Sequence, residues 1–199
     1  MAVQLEVDGI GYDLLERAIE RVKGIPGMFL EIGTRRGGSL QLTAEKTLAL
    51  DSYRVMVSVD PYGNIPYNDG KEVTRYDYTN VMRNETLSNL FQYVQNKPMH
   101  LIALTLTDDD FFNLFDNGIP VYQGNRMVYN DYAFAFLDGP HDTKSILRQV
   151  EFLAPRMPKG GNIVIDNIDF FDLDYILRMA RATYTEVERN IQKIALCRL

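Results

Sequence analysis

Five short β-rich runs, each followed by a segment of helical period, leave this chain few ways to fold. The runs are residues 28–33 (MFLEIG), 54–60 (RVMVSVD), 100–107 (HLIALTLT), 133–139 (AFAFLDG) and 160–167 (GGNIVIDN). They are largely apolar, and the valine-rich second run has the composition of a parallel strand covered on both faces. Between them, Leu40, Ala44 and Leu48 recur at helical spacing over 36–50. Val81, Leu87, Leu90, Phe91 and Val94 make the inward face expected of a helix within 73–96. The run Asp108-Asp109-Asp110 opens another helix, where the dipole favours negative charge. Asp142 is placed to cap a helix carrying Ile146, Leu147, Val150 and Leu153, and a further helix is expected over 173–182. YTEVER and KIALCRL, on either side of Asn190-Ile191-Gln192, read as a closing hairpin. Strand–helix alternation requires parallel strands joined by right-handed crossovers, with helices on both faces. The expectation is a doubly wound α/β fold: a seven-stranded, mostly parallel sheet whose last strand is antiparallel, within a single domain over 1–199. Residues 117–132 stand outside the pattern and are expected to form an inserted hairpin.

Composition narrows the partners. Of 199 residues, 46% are apolar and 24% charged, enough for a sizeable core. With 21 Lys+Arg against 27 Asp+Glu the formal charge is -6, which disfavours approach to nucleic-acid backbones and anionic membranes. Cys197 is the lone cysteine, so no intramolecular disulfide forms. The opening MAVQLEVDGIGYD lacks the basic-then-apolar pattern of a signal peptide, and no apolar run approaches the ~18 residues of a membrane helix. A cytoplasmic protein with neither nucleic-acid nor membrane partners is expected.

Ligands of an open parallel sheet gather at the carboxyl ends of its strands, so those residues carry the chemistry. The first run ends in Glu31-Ile-Gly-Thr-Arg-Arg-Gly-Gly38-Ser39. Its glycines let backbone approach a ligand, and the helix start beyond offers free N–H groups. The spacing is not GxGxxG, so the dinucleotide fingerprint is absent; a tight connection that needs glycine is the plain alternative. The second run ends in Asp60, suited to accept from ribose hydroxyls. The fourth ends in Asp138-Gly-Pro-His141 and the fifth in Asp166-Asn167, an oxygen-rich set of the kind Mg²⁺ prefers. Capping of the following helices by Asp138 and Asp166 is the competing account. His141, beside Asp138, suits a general base, and Lys144 is its competitor. His100 starts a strand, away from this edge. Asp169, Asp172 and Asp174, interleaved with Phe170 and Phe171, read as a helix start with phenylalanine in the core, or as an acceptor pocket.

Taken in order, Glu-Ile-Gly-Thr-x-x-Gly-Gly-Ser, the strand-two Asp, Phe-Leu-Asp-Gly-x-His, Pro-Lys-Gly-Gly and Val-Ile-Asp-Asn resemble class I S-adenosylmethionine-dependent methyltransferases over residues 28–199. The nearest likeness is to metal-dependent O-methyltransferases of the catechol and the macrocin or sugar types. The resemblance implies a Rossmann-like sheet and S-adenosylmethionine held by Glu31, Gly33, Thr34, Gly37, Gly38, Ser39, Asp60, Thr107 and Asp108. It implies Mg²⁺, or another divalent cation, on Asp138, Asp166 and Asn167, and transfer to a hydroxyl of a small molecule or sugar. The catechol type has a catalytic lysine three residues after the first aspartate; this chain has His141 there, making His141 and Asp138 the expected catalytic pair. Catechols, sugars and small phenols all suit as acceptors. Residues 63–77, with Tyr62, Tyr67, Tyr76 and Tyr78 in or beside them, are a candidate lid. Other classes remain open: a metal-independent methyltransferase, a nicotinamide oxidoreductase, or a non-catalytic relative that binds a partner through 117–132.

Overall fold

A computed structural model describes residues 5–6, 9–68, 74–75 and 77–199. In chain order its first half contains α1 (Tyr12–Arg21), β1 (Met28–Ile32), α2 (Gly38–Ala49), β2 (Val55–Val59), β3 (Tyr67–Asn68), β4 (Thr74–Arg75), α3 (Asn80–Val94) and β5 (His100–Leu104). The second half contains α4 (Asp108–Leu114), β6 (Ile119–Gln123), β7 (Asn125–Tyr129), β8 (Tyr132–Leu137), α5 (Thr143–Leu153), β9 (Asn162–Ile165), α6 (Leu173–Ala180), β10 (Tyr184–Arg189) and β11 (Ile194–Arg198). Seven strands form one sheet in the order β10-β11-β9-β8-β1-β2-β5. All pairs are parallel except those that β11 makes with β9 and β10. The chain runs outward from β1 through β2 to β5, then returns to place β8 on the other side of β1. Strand order therefore reverses between β1 and β8, and the crevice above their carboxyl ends is the natural ligand site.

The period of two along each strand divides the core into two layers. Met28, Leu30 and Ile32 of β1, with Val57 of β2 and Ile163 and Ile165 of β9, pack against Phe111 of α4, Ile146 and Val150 of α5 and Ile176 of α6. Phe29, Met56, Phe136 and Val164 face the other way, toward Leu15 and Ile19 of α1, Leu40 and Ala44 of α2 and Leu90 of α3. The expected helix cap is present, with the Asp142 carboxylate accepting from Ser145 N–H at 3.0 Å.

Two parts of the sequence reading need correction. Nothing is assigned there before residue 28, yet Leu14, Leu15, Ala18 and Ile19 lie on one helical stripe and bury α1 against the sheet. In α3, Val81 is 66% and Phe91 49% exposed, whereas Met82, Thr86, Leu90 and Tyr93 face inward. A polar residue, Thr86, takes a core-facing place because its hydroxyl donates to the Arg35 carbonyl at 3.0 Å. This rotates the apolar face away from Val81 and Phe91.

Within 117–132, β6 and β7 pair as an antiparallel hairpin. Ile119 and Val121 are buried against the core, while Tyr122, Met127 and Val128 are exposed. Of the candidate lid, β3 and β4 pair antiparallel; residues 69–73 and 76 lie outside the described residues. Among the described residues, no helix is long and apolar enough to cross a membrane.

Candidate active site

The connection from β1 to α2 is pinned from beneath. Gly33 N–H donates to Val59 O at 2.9 Å, and Asp138 N–H donates to Ile32 O at 2.8 Å, which ties the ends of β1, β2 and β8 together. Gly33 has φ +87, and a Cβ there would lie 2.0 Å from the Asp138 carbonyl oxygen, so any side chain would force the strand ends apart. Asp60, 2% exposed, takes N–H groups from Thr34 and Arg35 on one oxygen, each at 2.9 Å, and from Tyr62 on the other at 3.1 Å. Burial pushes its carboxyl above the ordinary range, and the three amide hydrogen bonds oppose that shift. The Arg35 carbonyl in turn accepts from the Tyr62 hydroxyl at 2.6 Å and from Thr86. Burial, then the Asp60 charge, raises the Tyr62 phenol, so it stays a neutral donor. The sequence reading does not find Tyr62 and Thr86 as loop anchors, since their partner is a backbone carbonyl.

A cavity of about 570 Å³ opens above these strand ends, within the usual range for small-molecule sites. Of the residues expected at the site, Gly33, Asp60, Thr107, Asp108, Asp138 and His141 line it. Ile65, Pro66, Tyr78 and Phe170 are among the other lining residues. Glu31, Thr34, Gly37, Gly38 and Ser39 do not line it, for local reasons. The Thr34 hydroxyl turns inward onto Ser58 Oγ at 2.6 Å, and a Cβ on Gly37 would lie 3.1 Å from Leu90 and 3.2 Å from Leu5. Glu31 and Ser39 are buried. Thr107 caps α4 by accepting from Asp110 N–H at 3.1 Å, and Asp108 accepts from Gln149 at 2.8 Å. Phe170 lines the cavity while Phe171 packs on the core, so the pair divides between the two roles considered for it. His100 lies at the opposite end of the sheet, on a separate cavity of about 530 Å³.

The ends of β8 and β9 bring His141, Asp138 and Asn167 together. His141 Nε2 lies 3.5 Å from Asp138 Oδ1 and 3.1 Å from the Asn167 side-chain amide. Asn167 holds φ 51, a left-handed conformation that asparagine tolerates better than most residues. Asp142 and Asp172 cap α5 and α6, so Asp138 and Asp166 are not the helix caps of the competing account.

Asp166 departs from the expected Mg²⁺ set. It is 4% exposed; one oxygen accepts from Asn167 N–H at 2.7 Å and the other receives the Lys193 ammonium at 2.7 Å. A hard cation on Asp138, Asp166 and Asn167 would have to displace that ammonium and carry its own waters into a sealed position. The donor set does not fit a resident divalent cation. Lys193 carries no local signal in the sequence, because its partner arrives from β9.

The model of a methyltransferase domain family matches residues 30–168, more than half of the chain, from within β1 to the turn after β9. The chain belongs to the class I S-adenosylmethionine-dependent methyltransferases. No curated protein matches it in sequence. Among solved structures, this methyltransferase resembles the O-methyltransferase NovP at TM-score 0.63 and 17% identity, covering 94% of this chain and 78% of that one. It resembles CalS11, a calicheamicin methyltransferase, at TM-score 0.60 and 15% identity, covering 92% and 77%. The O-methyltransferase TomG from Streptomyces achromogenes, solved with S-adenosylmethionine, matches at TM-score 0.59 and 12% identity, covering 96% and 81%. At these identities the likeness is one of fold. The seven-stranded, mostly parallel sheet with an antiparallel last strand that the sequence leads one to expect is the sheet observed, and these neighbours share its fold.

Proposed function

We propose that this methyltransferase, acting as one domain over 1–199, transfers methyl to a hydroxyl oxygen of an uncharged small molecule, a sugar or a phenol, with His141 as general base. The observation that carries the reading is that one cavity joins the Gly33–Asp60 wall to His141 and Asp138. Bound S-adenosylmethionine supplies a methyl carbon on a positively charged sulfonium, and S-adenosylhomocysteine is what remains. Gly33, Asp60, Thr107 and Asp108 are the lining residues that would hold it. Asp60, Asp108, Asp138 and Asp142 line the cavity, and among the described residues no Lys or Arg does. Carboxylates in a partly desolvated cleft attract a sulfonium and repel phosphate. That charge pattern supports a methyl donor over a nicotinamide nucleotide, and a neutral acceptor over a phosphorylated one.

Transfer from a sulfonium is an in-line displacement, so the protein's main task is alignment. The pinned β1–α2 connection keeps one wall fixed, and Tyr78, Phe170, Ile65 and Pro66 give the acceptor an apolar surface. As the new C–O bond forms and the C–S bond breaks, the acceptor hydroxyl must lose its proton. His141 Nε2 faces Asp138 and Asn167. The Asn167 amide nitrogen lies toward Nε2; with that amide turned over so that its oxygen accepts, the Nε2–H tautomer serves both Asn167 and Asp138 and leaves Nδ1 to take the proton. Asp138 steadies the imidazolium that results. Lys144 is exposed on α5 and is not among the lining residues, which favours His141. No step passes through Mg²⁺, since Asp166 is already committed to Lys193. The one cysteine, Cys197, is unpaired and fits the reducing cytoplasm.

The test is S-adenosylhomocysteine release across a panel of free sugars and phenols, their phosphorylated counterparts, and a short RNA. Turnover confined to neutral hydroxyls is the expected result. Turnover on the phosphorylated compounds or the RNA instead would overturn the acceptor class.

A further inference from the structure

Lys193 is fully buried, an unusual place for an ammonium. It stands at the entry to β11, and its charge is met from three sides. Nζ lies 2.7 Å from Asp166 Oδ2 and donates to the Ile10 carbonyl at 2.8 Å, and it sits 4.6 Å over the Tyr12 ring. Its own backbone is fixed as well, its N–H donating to the Asn190 side chain at 2.7 Å, while the same side chain donates to the Gly11 carbonyl at 3.3 Å. The closing hairpin, the start of α1 and the end of β9 therefore converge on one positive charge. From Asp166 the connection continues through a single residue. Its second oxygen accepts from Asn167 N–H, Asn167 adopts its left-handed turn there, and the Asn167 amide reaches His141 Nε2 at 3.1 Å.

We propose that Lys193 is a built-in counter-ion that takes the place of a divalent cation at the β9 end and, through Asp166 and Asn167, is the positioning residue for His141. The inference rests on the reading of His141 as the base. An ammonium supplies the positive charge a buried carboxylate requires, and as part of the chain it is always present. The carboxylate is held in one orientation, so the turn that follows it is held too. Removing Lys193 leaves Asp166 buried without its counter-charge, and the turn at Asn167 loses its anchor. His141 is then free to rotate, which affects turnover rather than donor binding, since neither Lys193 nor Asp166 lines the cavity.

Two measurements on the full chain test this. In the first, Mn²⁺ is titrated into the wild-type protein and followed by electron paramagnetic resonance, and its melting temperature is compared in Mg²⁺ and in EDTA. No stoichiometric Mn²⁺ site and an unchanged melting temperature are expected. One equivalent of bound Mn²⁺, lost in Asp138→Asn, would overturn the proposal whether or not an acceptor is known. In the second, Lys193→Met and, should that variant not fold, the paired Lys193→Met/Asp166→Leu are compared with wild type. A kcat lowered by tenfold or more, with S-adenosylmethionine KM unchanged and the His141 ring resonances shifted in ¹H–¹⁵N spectra, is expected. Wild-type kcat with unmoved His141 resonances would overturn the positioning role. Calorimetry with S-adenosylhomocysteine separates the two levels: failure of wild type to bind it would remove the methyltransferase reading, whereas binding together with a Mn²⁺ site removes only the role given to Lys193.

Discussion

Replacing Gly33 with alanine places a methyl group where two strand ends touch. The new Cβ would lie 2.0 Å from the Asp138 carbonyl oxygen, 2.4 Å from its carbon and 2.8 Å from Gly139 N, all backbone atoms that cannot swing aside. Ordinary contact begins near 3.4 Å, so the ends of β1 and β8 must part by more than 1 Å. Overpacking of this kind costs about 1–3 kcal/mol, and alanine at φ +87 adds about 1–2 kcal/mol. Against a typical stability of about 5–15 kcal/mol, the variant still folds but is clearly weakened. Gly124 is the matched control: its φ is +80, yet nothing lies within 4 Å of the position a Cβ would take. Gly124→Ala therefore incurs only the conformational part. Urea denaturation of the two variants isolates the steric share, and Gly33→Ala is expected to be less stable than Gly124→Ala by about 1–3 kcal/mol. Because Gly33 is itself one of the lining residues that would hold the donor, and the clash moves that wall, S-adenosylhomocysteine affinity falls in Gly33→Ala and not in Gly124→Ala. Equal losses in the two variants, or unchanged affinity in Gly33→Ala, would refute the close approach as the reason for the glycine.

His141→Ala is expected to lower kcat by about 10²–10⁴-fold, the usual share of a positioned base, with S-adenosylhomocysteine affinity by calorimetry unchanged; wild-type turnover would remove the base assignment. Glu188 ties β10 to Arg17 and Arg21 of α1. Hydrogen bonding from Arg17, then from Arg21, holds its carboxyl below the ordinary 4.5, with burial opposing. The resulting stability is complete above pH 4.5 and lost as pH falls through the lowered value. Wild type should thus exceed Glu188→Gln by up to about 1 kcal/mol near neutrality and lose that margin in acid; a margin that grows in acid would contradict the pairing. Val81→Lys and Phe91→Gln, on the exposed face of α3, are expected to change stability by no more than about 0.5 kcal/mol in urea melts, and a loss of core size would restore them to the interior.

The sheet was legible because its central strands are covered on both sides, so a run such as Val55–Val59 is buried throughout and apolar at every position but Ser58. Asp142 was legible as a cap because capping is local. The face of α3 was not, since a rule that counts only apolar residues cannot place Thr86 inward, and Thr86 is inward for the sake of the Arg35 carbonyl. The stripe that buries α1 was legible too, since Leu14, Leu15, Ala18 and Ile19 recur at helical spacing. At the site, strand-end position marked Asp60, Asp138 and His141, all of which line the cavity. What Asp60 does with its oxygens depended on backbone amides that a sequence does not display. Asp166 stood out as an acidic strand end suited to a cation; the cation it meets is Lys193, 27 residues further along and brought there only by the antiparallel return of β11.

The most direct measurement is a crystal structure of the full chain grown with S-adenosylhomocysteine. The ligand is expected in the cavity above β1, β2 and β8, against Gly33 and Asp60, with its sulfur directed toward the space beside His141. Density for the ligand anywhere else, or a cavity that stays empty at saturating concentration, would contradict the account.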